Sequence, residues 1–358
     1  MNTFNQVCNE ISAFAFEKTQ FQKNQLQKIV YHDIRKKHPE FSSQLTIRAI
    51  DVVSCSYKVQ KHKSRPNAFK KTSAVVYDDR IITFRDSGTV NIWTVDGRIE
   101  IPIHVYNKEK FELRKGQVDL VYQNGRLFLL CTLDVSAPEN YNASGIIGVD
   151  LGQKNIAVTS DGQVFSGEAI EKKRQQYHNH RQRLQMRDTR SAERRIKASG
   201  QKESRFRKDT NHVISKLLVS KAKGTQSALI LEELTGINSR VTVRHKTKKD
   251  RQNANARMSW AFAQLRGYIQ YKAELQGVPV VLVPSPYTSQ RCSKCGHTEK
   301  RNRNNRDSFL CVSCGHADCA DFNASKNIAY LGEQSISLLL AQPKAELVAS
   351  PAPCGRGS

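Results

Sequence analysis

The stretch I-I-G-V-D-L-G, Ile146 to Gly152, decides how the rest of the chain is read. Short apolar runs bounded by turn residues form buried strands, and this one ends on a single carboxylate, Asp150, followed by Leu151 and Gly152. An acid in such a place costs free energy unless a cation or hydrogen-bond donors satisfy it. Ile156, Ala157 and Val158 make a second strand, with Ser160, Asp161 and Gly162 as its turn, so Asp150 sits in a hairpin where a metal could neutralise it. Taken alone, an acid at a strand end can equally be an ordinary solvated residue. Two later carboxylates in similar settings weigh against that.

In S-A-L-I-L-E-E-L-T-G, Ser227 to Gly236, the apolar run Ala228 to Leu231 delivers Glu232 at a strand end. Glu233 points to the other side, because successive strand residues alternate faces. The run D-F-N-A-S-K-N-I-A begins at Asp321 and reads as a helix whose Ala324, Ile328 and Ala329 face the sheet. Asp321 can also be read as a helix cap, and Asp318 competes for any role it has. Two strand-borne acids and one at a helix start can hold two Mg2+ ions about 3.5–4 Å apart, and oxygen ligands suit this hard cation. In that order, the three acids suit an RNase H-like nuclease.

Cys292-x-x-Cys295 and Cys311-x-x-Cys314 are separated by 15 residues, with Gly296 and Gly315 directly after each pair. Four thiolates on two tight knuckles make a closed tetrahedral zinc site, structural rather than catalytic. Cys319 falls outside the spacing and reads as an ordinary small residue. The nine cysteines indicate a reducing compartment rather than a disulfide scaffold.

The 358 residues carry 57 Lys and Arg against 33 Asp and Glu, a formal charge of +24. Such a surplus repels itself unless a polyanion neutralises it, which points to nucleic acid. No apolar run reaches the roughly 18 residues that span a bilayer, and no secretory signal is visible. The expected location is the cytoplasm of a prokaryote, on the nucleoid, with no membrane partner.

Residues 1 to about 60 read as helices, broken at Pro39, with Ser42 or Ser43 capping the next helix. The run K-H-K-S-R-P-N-A-F-K-K (61–71) is a basic linker that suits either phosphates or solvent. From Ser73 to Leu133, apolar and polar residues alternate, and Asp96-Gly97 and Asn124-Gly125 mark hairpins, so a small antiparallel, barrel-like module is expected. Residues 171–210 hold 14 Lys and Arg against 5 acids and predict a long basic helix pair suited to a phosphate backbone. Residues 238–256 are polar and basic. A helix carrying Trp260, Phe262, Leu265, Ile269 and Tyr271 follows, then a strand from Val278 to Val283.

G-V-D-L-G-x-x-x-x-A-V-x-x-D-G, L-E-E-L, T-S-Q-R-C-S-K-C-G, C-V-S-C-G-H and A-D-F-N-A-S-K-N-I together resemble the TnpB (OrfB) family of insertion-sequence proteins. These are RNA-guided, RuvC-type nucleases related to type V CRISPR effectors. The resemblance implies a multidomain α/β protein: an RNase H-like (RuvC) nuclease core with a zinc ribbon, a helical recognition lobe and a small wedge-type β-barrel. The boundaries that follow are 1–65 for the lobe, 66–143 for the barrel and 144–287 for the core, with its basic helical insertion at about 168–223. The ribbon takes 288–320, a final core helix 321–330, and 331–358 is expected to be a disordered tail. Asp150, Glu232 and Asp321 match the family's catalytic, Mg2+-binding acids, and Cys292, Cys295, Cys311 and Cys314 its zinc ligands. The implied partners are a guide RNA from the element's 3′ end and double-stranded target DNA, cut beside a short flanking motif.

The family usually opens on a basic strand of the type Y-P-T-x-x-Q, whereas this chain starts Met1-Asn-Thr-Phe-Asn, inside the first expected helix. If the strand is truly absent, the barrel lacks an edge; a decayed copy and a misassigned start codon are the two readings this raises. Rival readings are an RNA-guided DNA binder without nuclease activity, a transposase-type accessory DNA-binding protein, and a zinc-ribbon binder whose acids are structural. Loss of an acid would mark the first, and none is lost.

Overall fold

The computed structural model describes residues 1–59, 64–152, 154–187, 189–233, 262–303 and 305–341, the last six by backbone alone. Residues 61–63 of the basic linker, the polar segment 238–256, Trp260 and the tail beyond Ala341 lie outside the described residues. The chain divides into two compact units, Met1–Val135 and Ser136–Leu347.

The first unit opens with helices α1 (Asn2–Glu17), α2 (Lys23–Lys37) and α3 (Ser43–Val59). Apolar residues recur on one face of each at helical spacing. Val7, Cys8, Ile11 and Ala15 of α1, Leu26 and Val30 of α2, and Ala49, Ile50 and Val53 of α3 are all buried in one core. Ser42 caps α3 by accepting a hydrogen bond from the Leu45 N–H at 3.2 Å. The second half of the basic linker is laced onto these helices. Asn9 exchanges two hydrogen bonds with the Phe69 backbone, and the Tyr57 hydroxyl accepts from the Asn67 N–H at 3.2 Å.

Strands β1 (Val75–Tyr77), β2 (Ile82–Arg85), β3 (Thr89–Thr94) and β4 (Gly97–Pro102) follow, then the short helix α4 (Lys108–Glu112) and strands β5 (Arg114–Gln123) and β6 (Arg126–Leu133). Both expected hairpins form, β3–β4 at Asp96-Gly97 and β5–β6 at Asn124-Gly125. In place of the single expected barrel, the hydrogen bonding makes two three-stranded antiparallel sheets, β1-β5-β6 and β2-β3-β4. Two local features work against a continuous ladder: Pro102 ends β4 with no N–H to donate, and β5 shifts register between Arg114 and Val118. Val75, Tyr77, Ile82, Val90, Ile92 and Val118 join the core of the three helices. Arg48 of α3 also holds Asp78 after β1 in an ion pair.

The second unit is built on β7 (Gly145–Asp150), β8 (Asn155–Thr159) and β9 (Val164–Ser166), an antiparallel meander. The helices α5 (Glu168–Gln185) and α6 (Arg190–Gly224) then form the expected basic pair. Strand β10 (Ser227–Glu233), helix α7 (Phe262–Glu274) and strand β11 (Val280–Pro284) come next. The small strands β12 (Ser308–Leu310) and β13 (Ala317–Cys319) precede the last helix, α8 (Ala320–Ala341). The helix expected over 321–330 thus runs on to Ala341; no proline follows Tyr330 within it, Gly332 stays within the helix, and Leu331 adds another apolar contact to the sheet.

The five-stranded sheet has the order β11-β10-β7-β8-β9, with β7, β10 and β11 parallel. Its two faces are covered by different helices. Ile147 and Val149 of β7 and Leu229 and Leu231 of β10 pack on α6 and α7, while Ala228 and Ile230 pack on Ile328 of α8. Leu229, Ile230 and Leu231 are fully buried. Burial of each contributes about 1.5–3 kcal/mol, so together they can carry the cost of a carboxylate at the strand's end. Among the described residues, no helix is long and apolar enough to cross a membrane.

Candidate active site and metal centre

Strands β7 and β10 run parallel with Leu231 opposite Val149. The next residue on each strand is an acid, so Glu232 and Asp150 lie side by side at the C-terminal ends. Alternation of side chains puts both on the face covered by α8, and puts Glu233 on the opposite face.

The third acid arrives through a close helix–strand approach. A Cβ on Gly148 would stand 2.2 Å from the Ser325 carbonyl oxygen and 2.5 Å from the Ala329 nitrogen. One on Gly332 would stand 2.4 Å from Ile230 Cγ1. Two glycines, one on the strand and one on the helix, therefore let α8 lie directly on β7 and β10. Its first turn carries Asp321 to the strand ends.

Burial first, and then the charges of Glu232 and Asp321, push the Asp150 carboxyl up to about 8, against the opposing charge of Arg303. Burial also raises Glu232, against the hydrogen bond its Oε1 accepts from the Thr288 hydroxyl. Asp321 is oriented by Asn155, whose Nδ2 donates to it at 3.0 Å, and by Arg303 at 3.8 Å. Without a cation the cluster relieves its repulsion by keeping a proton on Asp150. Carboxylate oxygens are the ligands that a hard divalent cation such as Mg2+ takes. Asp318, the rival for the Asp321 role, is engaged elsewhere, with Lys326 at 3.0 Å and His316 at 3.6 Å.

The four expected cysteines converge. Their Sγ atoms all lie within 4.8 Å of one another, with Cys292 and Cys314 at 3.7 Å and Cys295 and Cys311 at 3.6 Å. Zn–S bonds of about 2.3 Å in a tetrahedron imply sulfur separations of about 3.8 Å, so the cage fits zinc. Gly296 and Gly315 adopt φ of +79° and +68°, and donate to the carbonyls of Cys292 and Cys311 at 2.9 and 3.0 Å. These are the tight turns that the spacing implies, and only glycine takes such φ without strain.

Several residues of the site carry little or no mark in the sequence. Asn323 and Asn327, both fully buried on α8, fasten the segment leading into the first knuckle. The Asn323 side chain donates to the Arg291 carbonyl at 2.8 Å and accepts from the Ser293 N–H at 2.9 Å. The Asn327 side chain donates to the Thr288 and Arg291 carbonyls at 2.9 and 2.6 Å, and accepts from the Arg291 guanidinium at 2.8 Å. Two asparagines four apart in a helix, where asparagine is a poor former, are the available signal. Thr288, Asn155 and Arg303 carry none. Thr288 follows Tyr287, held at φ +67°, a conformation rare for an aromatic residue.

The second unit is thus a three-layer α/β body with strand-end acids on one face and a four-cysteine cage fastened to the helix that covers that face. Residues 262–328 match the family model described as Cas12f1-like, TNB domain. The chain is 35% identical over 125 residues to a CRISPR-associated endodeoxyribonuclease Cas12f1 of Sulfoacidibacillus thermotolerans, a match covering 35% of this chain and 27% of that protein. It is 30% identical over 219 residues to the putative RNA-guided DNA endonuclease InsQ of Escherichia coli K12, covering 56% of this chain and 52% of the other. A TnpB-like protein of Methanocaldococcus jannaschii is 33% identical over 127 residues, covering 36% of this chain and 43% of that one. The chain is a relative of TnpB-type proteins and of the type V effectors. It spans about half the length of these curated relatives, or less.

Proposed function

We propose that the protein is an RNA-guided, metal-dependent DNA endonuclease of the TnpB type, cutting DNA beside a short flanking motif by phosphodiester hydrolysis. The observation that carries this reading is the gathering of Asp150, Glu232 and Asp321 from two strand ends and a helix start, with Asp150 raised to about 8 by burial and by the other two. The sheet supports it: a three-stranded antiparallel meander followed by two parallel strands, in the order β9-β8-β7-β10-β11, is the layout of an RNase H-like, RuvC-type core.

Asp150, Glu232 and Asp321 are the proposed ligands of two Mg2+ ions. When bound, such a pair supplies an activated water and stabilises the leaving oxygen. To serve as such a ligand, Asp150 would release its proton to solvent. Thr288 and Asn155 hold Glu232 and Asp321 in place, and the positive charge of Arg303 offsets part of the repulsion around Asp150. The four cysteines hold a structural zinc. A guide RNA and double-stranded target DNA are the proposed partners, consistent with a formal charge of +24.

The test is cleavage of a plasmid library with a randomised flanking motif, with the protein co-expressed with RNA from the 3′ end of its own gene. Wild-type protein should deplete one motif in Mg2+, and Asp150→Ala should deplete none. Equal depletion by both proteins would remove Asp150 from the chemistry.

A further inference from the structure

The α5–α6 pair holds a feature that the acid cluster and the zinc cage do not use. Helix pairs normally meet along apolar stripes, and this one closes that way at its ends. Ile170 packs into the core at one end, and Leu184 and Ala192 are 5% and 4% exposed near the turn at the other. Between these ends the facing stripes are polar. Lys173, Tyr177 and His180 on α5, spaced to share one face, oppose Arg195, Ser199 and Lys202 on α6 across a cavity of about 360 Å³.

Three observations describe what such a cavity takes. First, it is cationic. Among the described residues no carboxylate lines it, and the flanking Glu171 and Glu203 are bound to Arg174 and Arg181, each at 2.5 Å. Second, Ser199 is only 6% exposed and its hydroxyl has no hydrogen-bond partner. A buried polar group is normally satisfied, so this hydroxyl is open to a hydrogen bond from whatever occupies the cavity, a ligand atom or a water. Third, the volume lies at the lower end of the roughly 300–1,000 Å³ of small-molecule sites. An inorganic anion would leave most of it unfilled, whereas a planar base would fill it against Tyr177 and His180. Rings that stack a base beside cations that hold a phosphate are the components of single-strand recognition.

We infer that the cavity between α5 and α6 binds one unstacked nucleotide, its phosphate on Lys173, Arg195 and Lys202 and its base on the Tyr177 and His180 rings. The inference stands on the cavity and is independent of whether the protein cuts DNA.

The test is photo-cross-linking of the full chain to a single-stranded oligonucleotide carrying 5-iodouridine, with uridine monophosphate and inorganic phosphate as competitors. Cross-links should map to Tyr177 or His180. Uridine monophosphate should compete at concentrations at least tenfold below phosphate. Tyr177→Ala and Lys202→Gln should each reduce cross-linking about tenfold with an unchanged melting temperature, and Tyr177→Phe should preserve it. An oligonucleotide bound at least tenfold more tightly than the mononucleotide identifies the ligand as part of a strand; equal binding identifies a free nucleotide. Cross-links confined to other segments, phosphate competing as well as the mononucleotide, or full cross-linking by a folded Tyr177→Ala would each overturn the assignment.

Discussion

Gly148 and Ser325 approach so closely that a Cβ on the glycine would stand 2.2 Å from the serine carbonyl oxygen. No side chain at this position of β7 fits the interface, because the atom it would meet belongs to the backbone of α8. Gly148→Ala should push α8 off the strand and carry Asp321 away from Asp150. Overpacking of this kind costs about 1–3 kcal/mol, to be read as a lower melting temperature. Cleavage should fall more steeply than stability, because the three acids lose their common position. A Gly148→Ala protein with wild-type activity would show that the acids do not depend on this contact.

The raised Asp150 makes stability depend on pH. In the metal-free folded protein its carboxyl is pushed up to about 8, while in an unfolded chain it titrates near 3.9. Between about pH 4 and pH 8 the folded state keeps a proton that the unfolded state has lost. Stability should therefore fall as pH rises through that window, by on the order of a few kcal/mol. Thermal unfolding in chelator at pH 5 and pH 8 reads the effect. Asp150→Asn cannot ionise and should flatten the slope; excess Mg2+ should offset the loss in the wild type by binding only the folded form. Equal slopes in wild type and variant would place the titration elsewhere.

Thr288 donates to Glu232 and so lowers a carboxyl that burial raises. Thr288→Val keeps the shape and removes the donor. A hydrogen bond to a charged group is worth about 1.5–3 kcal/mol. The variant should therefore raise Glu232 further, lower cleavage about tenfold or more at neutral pH, and move the pH–rate profile to the alkaline side. Thr288→Ser should restore both. A uniform drop with no shift of the profile would indicate a packing defect.

The four-cysteine cage should hold one zinc ion per chain, measured by metal analysis, and Cys311→Ser should lose it. Because Asn323 links the first knuckle to α8 through Ser293 and Arg291, removing zinc should loosen more than the ribbon. Hydrogen exchange should quicken over 320–329 as well as over 292–315, and the melting temperature should fall. Exchange that quickens in the ribbon alone would mean that the asparagine link does not transmit the change.

Much of this protein is written locally. The knuckles follow from C-x-x-C-G repeated at a set spacing, because each is a turn closed by its own backbone. The strands ending at Asp150 and Glu232 follow from unbroken apolar runs, and the basic helix pair from uninterrupted charge at helical spacing. The division of the β module into two sheets and the extension of α8 to Ala341 are not written that way, since ladder continuity and helix length depend on what each element packs against.

Relations between residues far apart in the chain are set by packing and not by local pattern. Gly148 looks like any glycine in an apolar run until α8 lies on it. Thr288 looks like a turn residue until its hydroxyl meets Glu232, and Asn323 like a poor helix former until Arg291 and Ser293 bind it. Residue type and local spacing are enough to name the side chains able to do chemistry and the elements that carry them. Their convergence depends on close packing between distant segments, a matter of ångström-scale fit that no local pattern of hydrophobicity or spacing encodes.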